Sequence, residues 1–263
     1  MNALRAAILR GARATPHVGA TTRGTRAGDG YVFSQLRAYV EGDDPRRIDH
    51  AATARAGSLQ TRVYLEETAL TFAAIVDESA SMRVGRRRPL AAAAQEALRA
   101  WFGAMEGEDR AARVVDRRVV RDRRAAAHVA AHEPFRFAAA LSVAQRALPR
   151  GASLLAIADG FDLPGEEALA LAALCFDATV LLARDPWADD LPLRGVVRLR
   201  DAETGAVRRQ YVDARARRRY AEASAARERA LHATFRQAGW RTGTLDERDG
   251  RASLLRAFGL GAR

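Results

Sequence analysis

Residues 69–77 read ALTFAAIVD and are followed directly by ESAS, which ends at Ser81. A short run that is almost wholly apolar predicts a strand covered on both faces, as in the centre of a parallel sheet. Residues 152–159, ASLLAIAD, and residues 177–183, DATVLLA, have the same character. Helical patterns separate these runs, for example at residues 89–105. The alternation predicts an α/β fold with a doubly wound, mostly parallel sheet.

The rest of the sequence predicts the organisation around that sheet. Residues 1–30 are rich in Gly, Thr and Arg with weak periodicity, which predicts a poorly ordered lead. We expect an N-terminal part at residues 1–68, made of this lead and an extended segment. The α/β domain then follows at residues 69–263. Two strand-like runs around DAETG predict a β-hairpin inserted near residues 195–212.

Composition limits the class of protein. The formal net charge is +11, and all 43 residues counted as Lys or Arg are Arg. A Lys-free chain rich in Ala and Arg is typical of a GC-rich genome, so the charge is weak evidence for nucleic-acid binding. No apolar run reaches the roughly 18 residues of a membrane span, and no secretion signal is evident. We expect a cytoplasmic protein in which the single cysteine, Cys175, is buried.

Oxygen-bearing side chains follow two of the predicted strands. Asp77, Ser79 and Ser81 come after the first strand, and Asp159 ends the second. Ligand groups of an open parallel sheet gather outside the carboxyl ends of its strands, so we expect these four side chains at one edge. Carboxylates and hydroxyls are hard ligands that suit Mg²⁺ or Mn²⁺. The alternative is that Asp77 and the serines cap the following turn and helix.

Longer stretches carry a resemblance to a known family. RAYVEGDDPRRIDH begins at residue 37, TRVYLEE at residue 61 and DESASM at residue 77, and LARDPWADDLP and RDAETG come later. Together they resemble the bacterial domain of unknown function 58. The resemblance implies a von Willebrand factor A-like domain with a metal-ion-dependent adhesion site. It also implies a partner, because such proteins are often encoded beside MoxR-type AAA+ ATPases and are suspected of assembling or maturing client proteins.

Three positions depart from the pattern of that family. His50 replaces the usual Trp, and Asp159 followed by Gly replaces Ser-Asp-Phe, which keeps the acid. Residues 135–137, Phe-Arg-Phe, stand where a Thr ligand is expected. Arg136 would repel a divalent cation and could pair with Asp77 or with Asp159. The resemblance therefore implies a degenerate adhesion site.

Three functions follow from these observations. We expect a non-catalytic protein-interaction module whose partner contacts include Arg86, Arg87 and Arg136. A metal-assisted hydrolase would use the same four oxygens but lacks a candidate base other than the acids themselves. Nucleic-acid binding by an Arg-rich surface is the other alternative. His128 and His132 have the i, i+4 spacing of half a metal site, and we expect them to be solvated.

Overall fold

The computed structural model describes residues 3–14, 27–65, 69–128 and 135–261. The chain forms two compact units, one of residues 21–69 and a larger one of residues 1–20 and 70–263. We predicted a division between residues 68 and 69, and the units divide one residue later. The first residues of the chain belong to the larger unit.

The N-terminus forms a helix, α1 (Ala3–Ala14), where we expected a poorly ordered lead. Leu4 and Ile8 lie one turn apart on this helix and are 2% and 0% exposed in the core of the larger unit. Arg5 on the same helix donates two hydrogen bonds to the carboxylate of Asp109. The prediction was wrong here because one buried apolar pair and one ion pair are too small a signal in an Arg-rich sequence. The predicted lead between residues 15 and 26 lies outside the described residues.

The smaller unit is built on two antiparallel strands, β1 (Ala27–Ala38) and β2 (Gln60–Leu65). A short helix between them, α2 (His50–Ala56), begins at the exposed His50. Asp49 caps this helix by accepting from the N–H of Ala52, and its other oxygen accepts from Arg62. These bonds lower the pKa of Asp49. Gly57 ends the helix in the left-handed conformation that glycine adopts easily.

A six-stranded sheet forms the centre of the larger unit. Its strands in chain order are β3 (Thr71–Val76), β4 (Arg110–Val115), β5 (Arg118–Val120), β6 (Ser153–Ala158), β7 (Asp177–Ala183) and β10 (Arg241–Leu245). Across the sheet the order is β10-β7-β6-β3-β4-β5, and every neighbouring pair is parallel except β4 with β5. The three strands predicted from their apolar sequences, β3, β6 and β7, are neighbours in the middle and are almost wholly buried.

Helices cover both faces of this sheet. They are α3 (Leu90–Gly103), α4 (Arg123–Ala126), α5 (Phe137–Ala147), α6 (Glu166–Cys175), α7 (Ala214–Gln237) and α8 (Gly250–Ala257). One hydrophobic cluster contains residues of α5, α6 and α7, and a second contains residues of α1, α3 and α8. Cys175, at the end of α6, is buried as expected. The larger unit is therefore the doubly wound α/β fold that the alternation predicted.

A separate two-stranded sheet comes between β7 and α7. Its strands are β8 (Gly195–Arg200) and β9 (Val207–Val212), which pair antiparallel as the predicted hairpin. Asp213 follows β9 and caps α7 by accepting from the N–H of Ala216. Among the described helices, none is long and apolar enough to cross a membrane.

Candidate functional site

The two aspartates predicted to share an edge lie beside each other. β3 and β6 are parallel neighbours, so their carboxyl ends meet, and Asp77 and Asp159 are the residues that directly follow them. The backbone N–H of Asp77 donates to the carbonyl of Ile157 at 2.8 Å. The N–H of Asp159 lies 3.5 Å from Asp77 Oδ2. The ordinary register of the two strands is thus sufficient to bring both carboxylates to one edge.

The side chains of Asp77, Ser79, Ser81 and Asp159 form one continuous chain of oxygen contacts. Ser79 Oγ donates to Asp77 Oδ1 at 2.5 Å, and Ser81 Oγ donates to Asp159 Oδ2 at 2.6 Å. The two hydroxyl oxygens are 2.9 Å apart. Each hydroxyl has one proton, so three contacts share two protons when both carboxylates are ionised. A proton on one carboxylate would supply the missing donor, whereas a bound cation would replace the hydrogen bonds by accepting lone pairs from the same oxygens.

The serines do not act as helix caps, which was the alternative interpretation. Ser79 precedes a 3-10 turn at Ala80–Arg83, but its side chain makes no capping hydrogen bond. The residue before α3 is Pro89, which has no side-chain donor or acceptor. Asp77 does accept from the N–H of Ser79 at 2.9 Å, so it shapes the turn as well as meeting the hydroxyl.

The electrostatics of this edge centre on Asp77, which is only 3% exposed. Burial raises the pKa of Asp77, hydrogen bonds from Ser79 act in the opposite direction, and the negative charge of Asp159 raises it further. Gly160 follows Asp159 at a φ of +76°, and a Cβ there would lie 2.9 Å from Leu231 Cδ1. Glycine adopts this positive φ without strain, which suits it to the position after Asp159.

The oxygen cluster fits a divalent cation in its chemistry. Adjacent oxygens in an octahedral Mg²⁺ shell with bonds of about 2.1 Å are about 3.0 Å apart. The two hydroxyl oxygens are near that spacing at 2.9 Å, whereas the contacts of 2.5 and 2.6 Å are hydrogen bonds that would lengthen around a bound cation. The cluster holds two carboxylates, and no group of three or more His, Cys, Asp or Glu suited to a metal occurs in the described part of the chain. Water or a partner's oxygen would complete the shell.

A third carboxylate, which the sequence analysis missed, reaches the same loop from the hairpin. Glu203 Oε1 accepts a hydrogen bond from the backbone N–H of Ser81 at 2.7 Å. Asp201 shapes the tip of the hairpin. Its Oδ1 accepts hydrogen bonds from the backbone N–H groups of Glu203 and Thr204 and from the hydroxyl of Thr204. These bonds lower the pKa of Asp201. The turn composition of DAETG predicts the hairpin but contains no signal for a contact with residue 81.

A buried ion pair lies beside the loop. Glu78, between Asp77 and Ser79 in sequence, pairs with Arg113 of β4. Arg113 is 2% exposed, and burial lowers its pKa to about 10. A buried arginine is tolerated only with a partner of opposite charge. The ion pair therefore holds Glu78 in place between the site residues Asp77 and Ser79. The arginine interrupts an apolar strand, RAARVV, and that interruption was the available signal.

The predicted partner contacts Arg86 and Arg87 lie on the loop before α3. The guanidinium of Arg86 pairs with Asp190 at 2.9 Å and lies 5.8 Å from the ring centre of Trp187. The backbone N–H groups of Arg86 and Arg87 both donate to the carboxylate of Glu247. Glu247 therefore fixes the backbone of the loop while both arginine side chains stay exposed.

Arg136 does not take the position that we expected. It is exposed at the start of α5 and bonds neither Asp77 nor Asp159 within the described ranges. The neighbouring Phe137 is fully buried and stacks on Phe135 and Phe235, with ring centres 5.9 and 6.1 Å away. Arg136 has extended backbone angles, and side chains alternate along such a segment. The pairing was a wrong expectation because the buried phenylalanine directs the arginine outward.

The structure describes one of the two histidines that have the spacing of half a metal site. His128 is exposed, as expected, and His132 lies outside the described residues. His232 on α7 contacts Thr244 Oγ1 through Nε2 at 3.0 Å, and Thr244 donates in turn to Glu228 at 3.2 Å.

Comparison with known proteins gives a family and one structural likeness. No curated protein matches the chain. The crystal structure of an aerotolerance-related membrane protein from Bacteroides fragilis has 14% sequence identity and a TM-score of 0.38, and the match covers 64% of this chain and 99% of that one. The model of a family described as a protein of unknown function, DUF58, matches residues 35–230. That match spans more than half of the sequence, and the chain therefore belongs to the DUF58 family.

Proposed function

We propose that this chain is a non-catalytic protein-interaction module that binds its partner at the carboxyl edge of the sheet. The carrying observation is the oxygen cluster of Asp77, Ser79, Ser81 and Asp159, in which three contacts share two protons. Two carboxylates and two hydroxyls that meet at one edge form a set of hard ligands that can hold a cation. It lies next to exposed loop residues, so a bound protein can reach it.

The proposed charge is Mg²⁺ or Mn²⁺. The four oxygens come from carboxylates and hydroxyls, which are hard ligands that suit these cations. The exposed position of Arg136 removes the expected repulsion of a cation, while the Thr ligand of the family pattern is still replaced at residues 135–137. A cation held there would present free coordination positions to an acidic side chain of a partner, and the arginines on the neighbouring loop would add attraction for an acidic surface.

The proposed partner is a MoxR-type AAA+ ATPase or a client protein of that ATPase. This proposal comes from the family, whose members are often encoded beside such ATPases. The chain would then act in the assembly or maturation of other proteins, with the ATPase supplying the energy.

A calorimetric titration tests the cation. We expect Mg²⁺ or Mn²⁺ to bind the wild-type chain. We expect the Ser79→Ala and Asp159→Asn variants to lose this binding. Ser142→Ala is the matched control, because that hydroxyl is on α5 and donates to the carbonyl of Ala138. Heat of binding that survives both site variants would exclude the cluster as the cation site.

A pull-down with a MoxR-type AAA+ ATPase tests the partner. Capture should depend on the divalent cation and should fall in Ser79→Ala but not in Ser142→Ala. Undiminished capture by a variant that combines Asp77→Asn, Ser79→Ala and Arg136→Ala would exclude this edge as the binding surface.

A further inference from the structure

A cavity of about 440 Å³ opens beside the oxygen cluster and is lined by both Ser81 and Asp159. Most of its wall is apolar. Prominent apolar residues of the wall are Val84, Leu90, Phe161, Leu182, Trp187 and Leu231. Phe161 is 76% exposed, so part of its ring is available to a molecule that enters the cavity.

One wall of the cavity is held in place by Asp185. Its carboxylate accepts from the hydroxyl of Tyr220, from Ser224 Oγ at 3.2 Å and from the N–H of Trp187 at 2.9 Å. Burial and the bond to Asp185 raise the pKa of Tyr220. The loop that follows β7 is therefore fixed against α7, and the cavity is preformed rather than a gap between unconnected side chains.

The rim of the cavity carries cationic groups. The guanidinium of Arg227 lies 3.6 Å from the ring centre of Phe161, and one of its nitrogens is 3.5 Å from the carbonyl of Asp159. Arg184 also lines the cavity; its Nη2 donates to Asp189 Oδ1 at 2.7 Å, and its buried Nε has no hydrogen-bond partner in the described part of the chain. Two of the acids in the wall, Asp185 and Glu228, already accept hydrogen bonds from neighbours. The lining holds two arginines and three carboxylates, so its charge alone does not select an anion, and its apolar wall selects the apolar part of an occupant.

The hairpin shows which negative group fits beside the cavity. Glu203 places a carboxylate 2.7 Å from the N–H of Ser81, a residue that also lines the cavity. The hairpin strands pair only with each other among the described sheets, so the tip is not fixed by the central sheet. A bond from one exposed glutamate can be exchanged for a bond from another carboxylate at small cost.

We propose that this cavity is a docking pocket for a peptide segment of a partner protein that places an acidic residue next to a bulky apolar one. The acidic side chain takes the position of Glu203 at the Ser81 N–H, and the apolar side chain enters the cavity. Glu203 occupies the acidic position until such a segment displaces it. This inference rests on the proposed function and extends it, because it states which side chains of the partner bind at the same edge of the sheet.

Trp187 gives a direct readout of occupancy. The other two tryptophans, Trp101 and Trp240, are 1% and 3% exposed, whereas Trp187 lines the cavity. The probes are three blocked tetrapeptides: Ac-Gly-Glu-Leu-Gly-NH₂, the same peptide with Gln in place of Glu, and the same peptide with Gly in place of Leu. We expect the first to change the tryptophan fluorescence of the wild-type chain, the change to vanish in Trp187→Phe, and the other two to bind at least about tenfold more weakly.

Two variants test the two halves of the pocket separately. Glu203→Gln removes the competing charge and should raise affinity for the Glu-Leu peptide about tenfold, since a charge-assisted hydrogen bond is lost from the competitor. Glu167→Gln on α6 is its matched control. Ala223→Leu adds bulk at an exposed helical position that lines the cavity and should weaken binding. Ala139→Leu, exposed on α5, is the control for that change.

The outcomes separate this inference from the proposed function. Equal affinity of the wild-type chain and Glu203→Gln, or of the Glu and Gln peptides, would overturn the docking pocket even where Mg²⁺ binding and partner capture are intact. Loss of Mg²⁺ binding and of partner capture, with peptide affinities as expected, would instead remove the proposed function and leave a carboxylate-reading pocket.

Discussion

Ser81 Oγ donates a hydrogen bond to Asp159 Oδ2 at 2.6 Å, although the two residues are 78 positions apart in the sequence. The bond joins the loop after one central strand to the end of the next. It exists because parallel neighbours end at the same edge, so a motif after one strand meets whatever follows the other. Every property proposed for this edge depends on that meeting.

Bound Mg²⁺ should raise the melting temperature. A ligand at a hundred times its Kd stabilises the folded state by about 2.7 kcal/mol. For a chain of this size, that amounts to a rise on the order of 5–10 °C. Ser81→Ala should remove most of the rise, because it loses a ligand oxygen and the bond to Asp159. Thermal denaturation with Mg²⁺ and with a chelator measures both, and an equal rise in Ser81→Ala would contradict the prediction.

Removing Arg136 should leave the cation site almost unchanged. The side chain is exposed and bonds neither site carboxylate in the described structure. We expect Mg²⁺ affinity of Arg136→Ala within about twofold of wild type, since exposed charges are well screened at ordinary salt. Calorimetry decides the point. A tenfold gain would mean that the arginine repels the cation, as its place in the sequence first suggested.

Breaking the ion pair beside the loop should be costly. Glu78→Ala leaves the guanidinium of Arg113 buried without its carboxylate, and such changes cost about 3–5 kcal/mol of unfolding free energy. Adding Arg113→Met should recover much of that loss, because the buried charge is then removed as well. Urea denaturation of the two single variants and the double variant measures the coupling. Additive losses would show that the pair does not act as a unit.

The N-terminal helix should contribute to stability of the larger unit. Ile8 is fully buried among residues of the second hydrophobic cluster, and truncation to alanine should cost about 2–5 kcal/mol. Leu171→Ala is the control, because that leucine is half exposed on α6 and its loss should cost under about 0.5 kcal/mol. Similar unfolding free energies for the two variants would show that residues 3–14 do not pack in the core and would support the predicted poorly ordered lead.

The features that the sequence predicted are those that depend on local pattern. β3, β6 and β7 are recognisable because strands covered on both faces are apolar throughout. The meeting of Asp77 with Asp159 needed one further rule, that the carboxyl ends of parallel strands share an edge. The hairpin was recognisable from two short runs around a turn sequence.

The features that the sequence did not predict depend on contacts between distant segments. Glu203 meets Ser81 only because the hairpin folds back over 122 positions, and nothing near either residue indicates it. The outward direction of Arg136 follows from the burial of Phe137, which is decided by its stacking against Phe235 on α7. Pattern predicts which face of an element is apolar, but not which distant side chain meets it.

The pH dependence of stability should report on His232. Burial lowers the pKa of His232 below its ordinary value of 6.5, so the folded state favours the neutral ring while the unfolded chain takes up a proton more readily. The contribution of His232 to the free energy of unfolding is therefore fully present above pH 6.5. It is lost as the pH falls through 6.5 towards the pKa of the folded state. His232→Gln can still donate to Thr244 and has no charge to gain. Urea midpoints measured on both sides of pH 6.5 should fall more steeply for the wild-type chain than for the variant. Parallel pH profiles would mean that the ring is solvated and that its contact with Thr244 does not hold the neutral form.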